Sequence, residues 1–251
     1  MEVFLDVWDV VIIGAGAAGL MCAITAAKRG RRVLVIEISN RPGKKILMSG
    51  GGRCNFTNLE MDTDKFLSNN LNFCKSALSR YTNNDFIELV RKHGISYHEK
   101  AFGQLFCNNS SKDILNMLLA EAKKFQVTIK TDCTIEKYEH KERFIINTCR
   151  EKFKAKSLVV ATGGLSVPTL GGTDFGYEIA KTFGHKITTL RPALVPFVFT
   201  DKFKLMSDKL SGVSSYARLS LNKHEFYENI LFTHRGLSGP AVLQISSYWK
   251  E

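Results

Sequence analysis

Apolar residues along this chain follow two rhythms. Asp9-Val10-Val11-Ile12-Ile13 is a short β-branched run without polar alternation, the pattern of a strand buried on both faces of a parallel sheet. Ala17 to Arg29 then carries small and apolar residues suited to a helix, closed by Gly30 as a C-terminal cap. Arg32 to Glu37 returns to a continuous apolar run and predicts a second parallel strand. Helical spacing reappears at Asp85 to His93, with Phe86, Leu89 and Val90 on one face. It recurs at Lys112 to Phe125, with Ile114, Leu115, Leu118, Leu119 and Ala122. Val127-Thr128-Ile129 and the apolar stretch from Ser157 read as strands, and Ile179 to Phe183 as part of a helix ending at Gly184. The texture changes at Arg191 to Pro196. Beyond it Val213 to Leu221 and Phe226 to Thr233 read as strands, and a turn at Gly236 to Pro240 opens a helix, with Ser238 or Gly239 near its cap and Pro240 in its first turn. These elements predict an α/β fold: residues 1–190 form a Rossmann-type parallel sheet with flanking helices, and 191–251 begin a smaller β-rich unit.

The junction between the first strand and the first helix carries chemistry. Gly14-Ala15-Gly16-Ala17-Ala18-Gly19 is GxGxxG in strand-turn-helix context, and Glu37 ends the next strand 18 residues after Gly19. Gly14 permits a tight turn, Gly16 lets the backbone approach a pyrophosphate, and Gly19 lets helix pack on strand. The amides around Ala17 and Ala18 and the helix dipole favour phosphate. Glu37 is placed to accept from ribose hydroxyls, and its charge repels a 2′-phosphate, leaving NAD or the ADP half of FAD at this site.

Composition narrows the class. Hydrophobic residues are 44% of 251 and charged residues 24%, values of a folded chain long enough to bury a core. Six cysteines (22, 54, 74, 107, 133, 149) form no CxxC and no Cys/His cluster, which argues against a disulfide framework, a zinc site or a dithiol pair and predicts reduced thiols in a cytoplasm. Glu2, Asp6 and Asp9 stand where a signal peptide would be basic, and no segment reads as a membrane span. The net charge of +11 raises nucleic acid as a partner. The basic runs at Lys28–Arg32, Lys44–Lys45, Arg91–His93 and Lys123–Lys124 are separated along the chain without interleaved aromatics, so a small-molecule substrate ranks first and nucleic acid below it.

Past Glu37 the chain does not enter another helical crossover. It runs through Ser39 to Lys45 into Ser49-Gly50-Gly51-Gly52-Arg53-Cys54-Asn55, an extended segment able to wrap a cofactor. The stretch from Asp9 to Glu37, followed by Gly43 to Asn58, resembles the bacterial flavoprotein family that includes aminoacetone-oxidase-type and bile-acid-reductase-like proteins. Those are FAD-dependent, NAD(P)H-linked oxidoreductases with two dinucleotide-binding regions. The resemblance implies that Ser49, Gly50, Gly51, Gly52, Arg53 and Asn55 run along FAD toward its ring, Arg53 and Asn55 being the candidates near it. Consecutive glycines suit this, since they allow positive φ and present bare amides. Lys44 and Arg53 would add positive charge near the pyrophosphate or the reduced flavin. Cys54 reads as a buried structural thiol. By the same resemblance Thr131 to Lys137 passes the adenine, with Cys133 or Thr134 in backbone contact, and Ala161-Thr162-Gly163-Gly164 is similar to the second FAD motif. "FTHRGLSGPAVLQIS", residues 232–246, matches the inserted domain.

Two other motifs carry nothing. Asp174-Phe175-Gly176 lacks every companion of a kinase motif, and Gly236-Leu237-Ser238-Gly239 is not GxSxG. The resemblance therefore predicts an oxidoreductase that passes hydride from NAD(P)H through flavin to a small-molecule acceptor, with no acid or base assigned and the six histidines read as surface or structural. A non-catalytic remnant and a flavin-dependent RNA-modifying enzyme are the alternatives. Family members return to the FAD domain through a segment resembling GE…D…GGYN that these residues do not contain, so the expectation is a chain that keeps the ADP-binding half of the site and lacks the ring-binding half.

Overall fold

The structure, a computed structural model, describes residues 7–249; Glu2 and Asp6, read above against a signal peptide, lie outside the described residues. The chain falls into two compact units, one ending at His185 and one beginning at Lys186.

The first unit runs β1 (Val7–Ile13), α1 (Ala17–Lys28), β2 (Val33–Ile36), α2 (Lys44–Met48), β3 (Asn55–Asn58), α3 (Lys75–Arg80), α4 (Asn83–Lys92), β4 (Tyr97–Glu99), β5 (Gln104–Cys107), α5 (Ser111–Lys124), β6 (Thr128–Lys130), β7 (Ile135–His140), β8 (Phe144–Thr148), β9 (Lys152–Val160) and α6 (Phe175–Thr182). Its main sheet has the order β6-β2-β1-β9-β8-β7. The strands β6, β2, β1 and β9 are parallel, whereas β8 and β7 extend the sheet antiparallel. The continuous apolar runs have a simple explanation in side-chain parity. Ile12, Val33 and Val35 point into a core shared with Leu20 and Ile24 of α1, Val90 of α4 and Ile114 and Leu118 of α5. Their neighbours Val11, Leu34 and Ile36 point the other way, against Ile146, Phe153 and Ala155. A strand covered on both faces leaves no place for a polar side chain.

The helices start where local chemistry tells them to. Thr82 and Asp85 form a reciprocal capping box on α4, and Ser110 and Asp113 form another on α5. Helix α1 closes at Lys28 and Gly30 follows at φ 72°. The sequence had not announced α2, the small antiparallel sheet β3-β5-β4, the hairpin β7–β8 or helix α3. These pieces are short, and the hairpin strand Ile-Glu-Lys-Tyr-Glu-His carries charges along an only partly buried strand.

The second unit contains β10 (Phe197–Val198), α7 (Asp201–Lys209), β11 (Ser214–Leu221), β12 (His224–Thr233), β13 (Gly236–Ser238) and α8 (Pro240–Ser246). Its four strands form an antiparallel sheet of order β10-β13-β12-β11. Helix α8 starts with Pro240 at its first position behind Gly239 and buries Ala241, Val242 and Ile245. Gly236 to Ser238 is a paired strand rather than the turn expected from its glycines. Helix α7 was unexpected too, because it buries only Ser207, whose hydroxyl donates to the carbonyls of Thr233 and Gly236 at 2.8 and 2.9 Å.

Candidate functional site

Strands β1, β2 and β9 end side by side, and the chain leaving each one bends over a common cleft. The Gly14 amide donates to Ile36 O at 2.8 Å and the Ala161 amide to Ile13 O at 2.8 Å, so the three strand ends are stitched together. Above them lies a cavity of about 1020 Å³, lined entirely by the first unit.

The three glycines of the turn do different things. A Cβ on Gly14, which sits at φ 105°, would stand 2.4 Å from Ala161 O, and one on Gly19 would stand 1.9 Å from Gly14 O. Those two positions are closed by the protein's own backbone. A Cβ on Gly16, by contrast, would meet no protein atom within 4 Å, and its φ of −80° is open to any residue. The space kept free there lies at the amino end of α1, where amides and the positive end of the helix dipole favour an anion.

Glu37 stands at the end of β2 beside this turn. One carboxylate oxygen accepts from the Ala15 amide at 2.8 Å, and the other from the Ser39 amide and hydroxyl at 2.9 and 2.7 Å. Its carboxylate both holds the glycine turn and faces the cleft, with acceptor capacity left for a hydroxyl. Thr134 comes alongside because the Cys133 amide donates to Glu37 O at 3.1 Å. Glu37, Lys44 and Lys45 are the charged residues of the wall. Lys45 Nζ donates to Ser166 Oγ at 3.2 Å and stands close to Gly163. Part of the lining is apolar: Phe56, Phe86, Ile114 and Leu118, with Phe56 in edge contact with Tyr97 at 5.5 Å. A helix amino end that favours an anion, a carboxylate at a strand end, two ammonium groups and an apolar part of the wall suit a dinucleotide with a flat ring.

Of the residues singled out in the sequence, Gly14, Gly16, Ala17, Ala18, Glu37, Lys44, Ser49, Asn55, Thr134, Ala161, Thr162 and Gly163 lie on the wall. Gly19, Gly50, Gly51, Gly52, Arg53 and Gly164 do not. Gly19 works from behind the turn, and Gly164 faces the Tyr177 hydroxyl. The triple glycine adopts φ of 56°, 64° and 86°; a Cβ on Gly50 would strike the Asn55 amide at 2.6 Å and the Phe106 ring at 2.9 Å, whereas one on Gly51 or Gly52 would meet no protein atom within 4 Å. At Gly50 the positive φ lets the chain pass close to β3 and β5. Asn55 belongs to the same device. Its side-chain nitrogen reaches Thr57 O and Leu105 O at 3.1 and 3.2 Å, across the irregular register of that strand pair.

Lys45, Ser39, Phe56, Phe86, Ile114, Leu118 and Phe175 also line the cleft and were not singled out. Phe86, Ile114 and Leu118 were assigned to the core faces of helices, and periodicity cannot tell a core face from a cavity wall. Cys54 is buried, and desolvation raises its thiol despite a hydrogen bond with Ser49. Burial, with Cys54 and Asp113 nearby, pushes the Cys107 thiol up to about 12, so both stay protonated and poorly nucleophilic. All six cysteines are free. Among the described residues no cluster of three or more His, Cys, Asp or Glu side chains could hold a metal, and no helix is long and apolar enough to cross a membrane.

Fold and cleft together define a Rossmann-type FAD-binding domain with small antiparallel sheets beside it. The chain belongs to the HI0933-like family, matching the HI0933-like protein Rossmann domain over residues 8–241. It is therefore a member of an FAD-dependent oxidoreductase family. It is 49% identical over 248 residues to the ribosomal RNA dihydrouridine synthase of Escherichia coli K12, covering 98% of this chain and 62% of that protein. The ribosomal RNA dihydrouridine synthase of Haemophilus influenzae is also 49% identical, over 96% of this chain and 61% of the relative. The 3-dehydro-bile acid delta(4,6)-reductase of Clostridium scindens is 29% identical, over 94% and 59%. The chain spans about three fifths of the length of these curated relatives.

Proposed function

We propose that this chain is the flavin-holding part of a reductase that adds hydrogen across the ring double bond of a uridine in ribosomal RNA. The observation that carries this reading is the 49% identity, over nearly the whole chain, to two ribosomal RNA dihydrouridine synthases. It reverses the order expected from the sequence, where a small-molecule acceptor stood first. In this reading Gly16, Ala17 and Ala18 receive the pyrophosphate, Glu37 a ribose hydroxyl, Thr134 the adenine, and Lys44 and Lys45 the remaining negative charge. Ser49, Asn55 and Ala161 to Gly163 shape the ring end, and the residues after about 190 begin a substrate domain. Bound FAD supplies hydride transfer, with NAD(P)H as the donor; the protein's part is to place it, exclude water along the Phe56–Phe86 wall and set its electrostatics. The reduced, unpaired cysteines fit a cytoplasmic enzyme.

The test is the absorbance spectrum of the purified chain, followed by incubation with NADPH and protein-free ribosomal RNA and mass spectrometry of the digested nucleosides. A flavin spectrum and a uridine gaining two hydrogens are expected. Flavin present but no such nucleoside, with turnover of a 3-dehydro-bile acid instead, would favour the small-molecule reading suggested by the Clostridium scindens relative.

A further inference from the structure

The basic runs that lie apart in the sequence are brought together by the fold. Helices α1, α4 and α5 all end at the edge of the sheet where β1 and β2 begin, the edge opposite the cleft. Glu121, 3% exposed, ties the three ends together: one carboxylate oxygen pairs with Lys28 Nζ at 3.2 Å and the other with His93 Nε2 at 3.1 Å. Three of the four runs, Lys28–Arg32, Arg91–His93 and Lys123–Lys124, therefore share one face. Its carboxylates among the described residues are already engaged. Glu121 holds Lys28 and His93, Glu88 pairs with Arg91 at 2.6 Å, and Asp9 pairs with Lys156 at 2.7 Å.

Five exposed cations on this face, Arg29, Arg31, Lys92, Lys123 and Lys124, form no ion pair among the described residues. Helix ends attract cations, but each contributes only roughly half a negative unit, and three such ends leave the face strongly positive. Aromatic surface lies between the charges. Lys28 and Lys124 stand over the Phe125 ring at 5.1 and 5.5 Å, and Arg32 over Trp8 at 4.4 Å. Phe125 adjoins Lys124 in the chain, and tertiary contact brings it under Lys28 and Trp8 under Arg32.

We propose that this face, at the carboxyl ends of α1, α4 and α5, grips the phosphate backbone of the RNA substrate. The inference rests on the RNA-modifying reading above and adds where the RNA is held. Helix α1, 12 residues and so about 18 Å long, separates the face from the glycine turn. RNA is thus anchored away from the base that is reduced, as suits phosphate contacts, which position a nucleic acid without reading its sequence.

The test is fluorescence anisotropy of the purified chain with a labelled RNA hairpin, over a salt series and with protein-free ribosomal RNA as competitor. Wild type is compared with the fourfold change Arg29→Gln, Arg31→Gln, Lys123→Gln, Lys124→Gln, and with a control removing equal charge at Lys65, Lys75, Lys100 and Lys141. The face variant should bind RNA about tenfold or more weakly and lose about two or more from the slope of log affinity against log salt, while its flavin affinity and the control stay at wild-type values. RNA should also protect Lys123 and Lys124 from acetylation. Wild-type RNA binding that the face variant retains would overturn the placement while leaving the RNA reading intact. No RNA binding by wild type at low salt would defeat both. Equal loss in the control would mean bulk charge rather than this face, and preferential binding to phosphatidylserine vesicles would assign the face to a membrane surface; either result overturns the proposal.

Discussion

At the scale of single residues, Gly16 and Gly19 separate two reasons for a glycine. Gly19→Ala forces a methyl group into Gly14 O, which the ideal Cβ position already reaches at 1.9 Å, so the turn must open and both stability and flavin binding should fall. Gly16→Ala meets only open space, so thermal unfolding of the flavin-free protein should shift by less than about 2 °C while flavin affinity drops. Calorimetry of both variants with and without FAD checks this; equal destabilisation of the flavin-free forms would show that the space beside Gly16 is not kept for a ligand. Glu37→Ala removes the acceptor for Ala15 and Ser39 as well as for a ribose hydroxyl. FAD affinity should weaken by roughly 1–3 kcal/mol, read by flavin fluorescence titration.

At the scale of elements, the three helices meeting at Glu121 depend on a carboxylate kept charged. Burial alone would raise that carboxyl, but hydrogen bonds from His93 and Lys28 and the nearby charges of Lys28 and Lys124 outweigh it and hold it below the usual range. A depressed carboxyl contributes stability that is present above the unfolded-state value, near 4, and is lost as pH falls through the folded value. Glu121→Gln should therefore cost about 1–3 kcal/mol at neutral pH, with the gap to wild type closing below about pH 4 in urea titrations. A gap independent of pH would place its role in packing alone.

Elements also set the limit of what could be read from the chain. The strands β1 and β2, helix α1 and the cap at Gly30 were legible because burial on both faces and a glycine turn leave marks at fixed spacing. The capped, amphipathic α4 and α5 were legible for the same kind of reason. Helix α2 was not, since five residues behind a left-handed Gly43 carry no period and no side-chain cap. The strands of β3-β5-β4 have three or four residues each, too few to show alternation. At the cleft, the glycine turn and Glu37 were visible as a motif, whereas the apolar wall was not, because Phe56, Phe86, Ile114 and Leu118 come from three separate elements that only the fold brings together.

At the scale of the molecule, every residue lining the cleft lies between Ile13 and Phe175, within the first unit. The stretch after Lys186 runs largely exposed and without regular structure to Pro196, and Arg191 is shielded from trypsin by Pro192. Brief trypsin treatment should therefore cut at Lys186, and the larger fragment should keep the flavin affinity of the uncut chain. Loss of flavin on that single cut would show that the second unit takes part in holding it.

The glycine turn has one more consequence, and it concerns kinetics. Its shape is set by backbone contacts of Gly14 and Gly19 and by the Ala15–Glu37 bond, none of which waits for a ligand. The apoprotein should therefore present a ready receptor rather than one assembled by its cofactor. Loading becomes a bimolecular encounter without a slow ordering step: stopped-flow quenching of flavin fluorescence should give a single phase whose rate rises linearly with protein concentration. On that outcome the chain would leave the ribosome colourless and correctly shaped, and acquire its cofactor afterwards from the free pool.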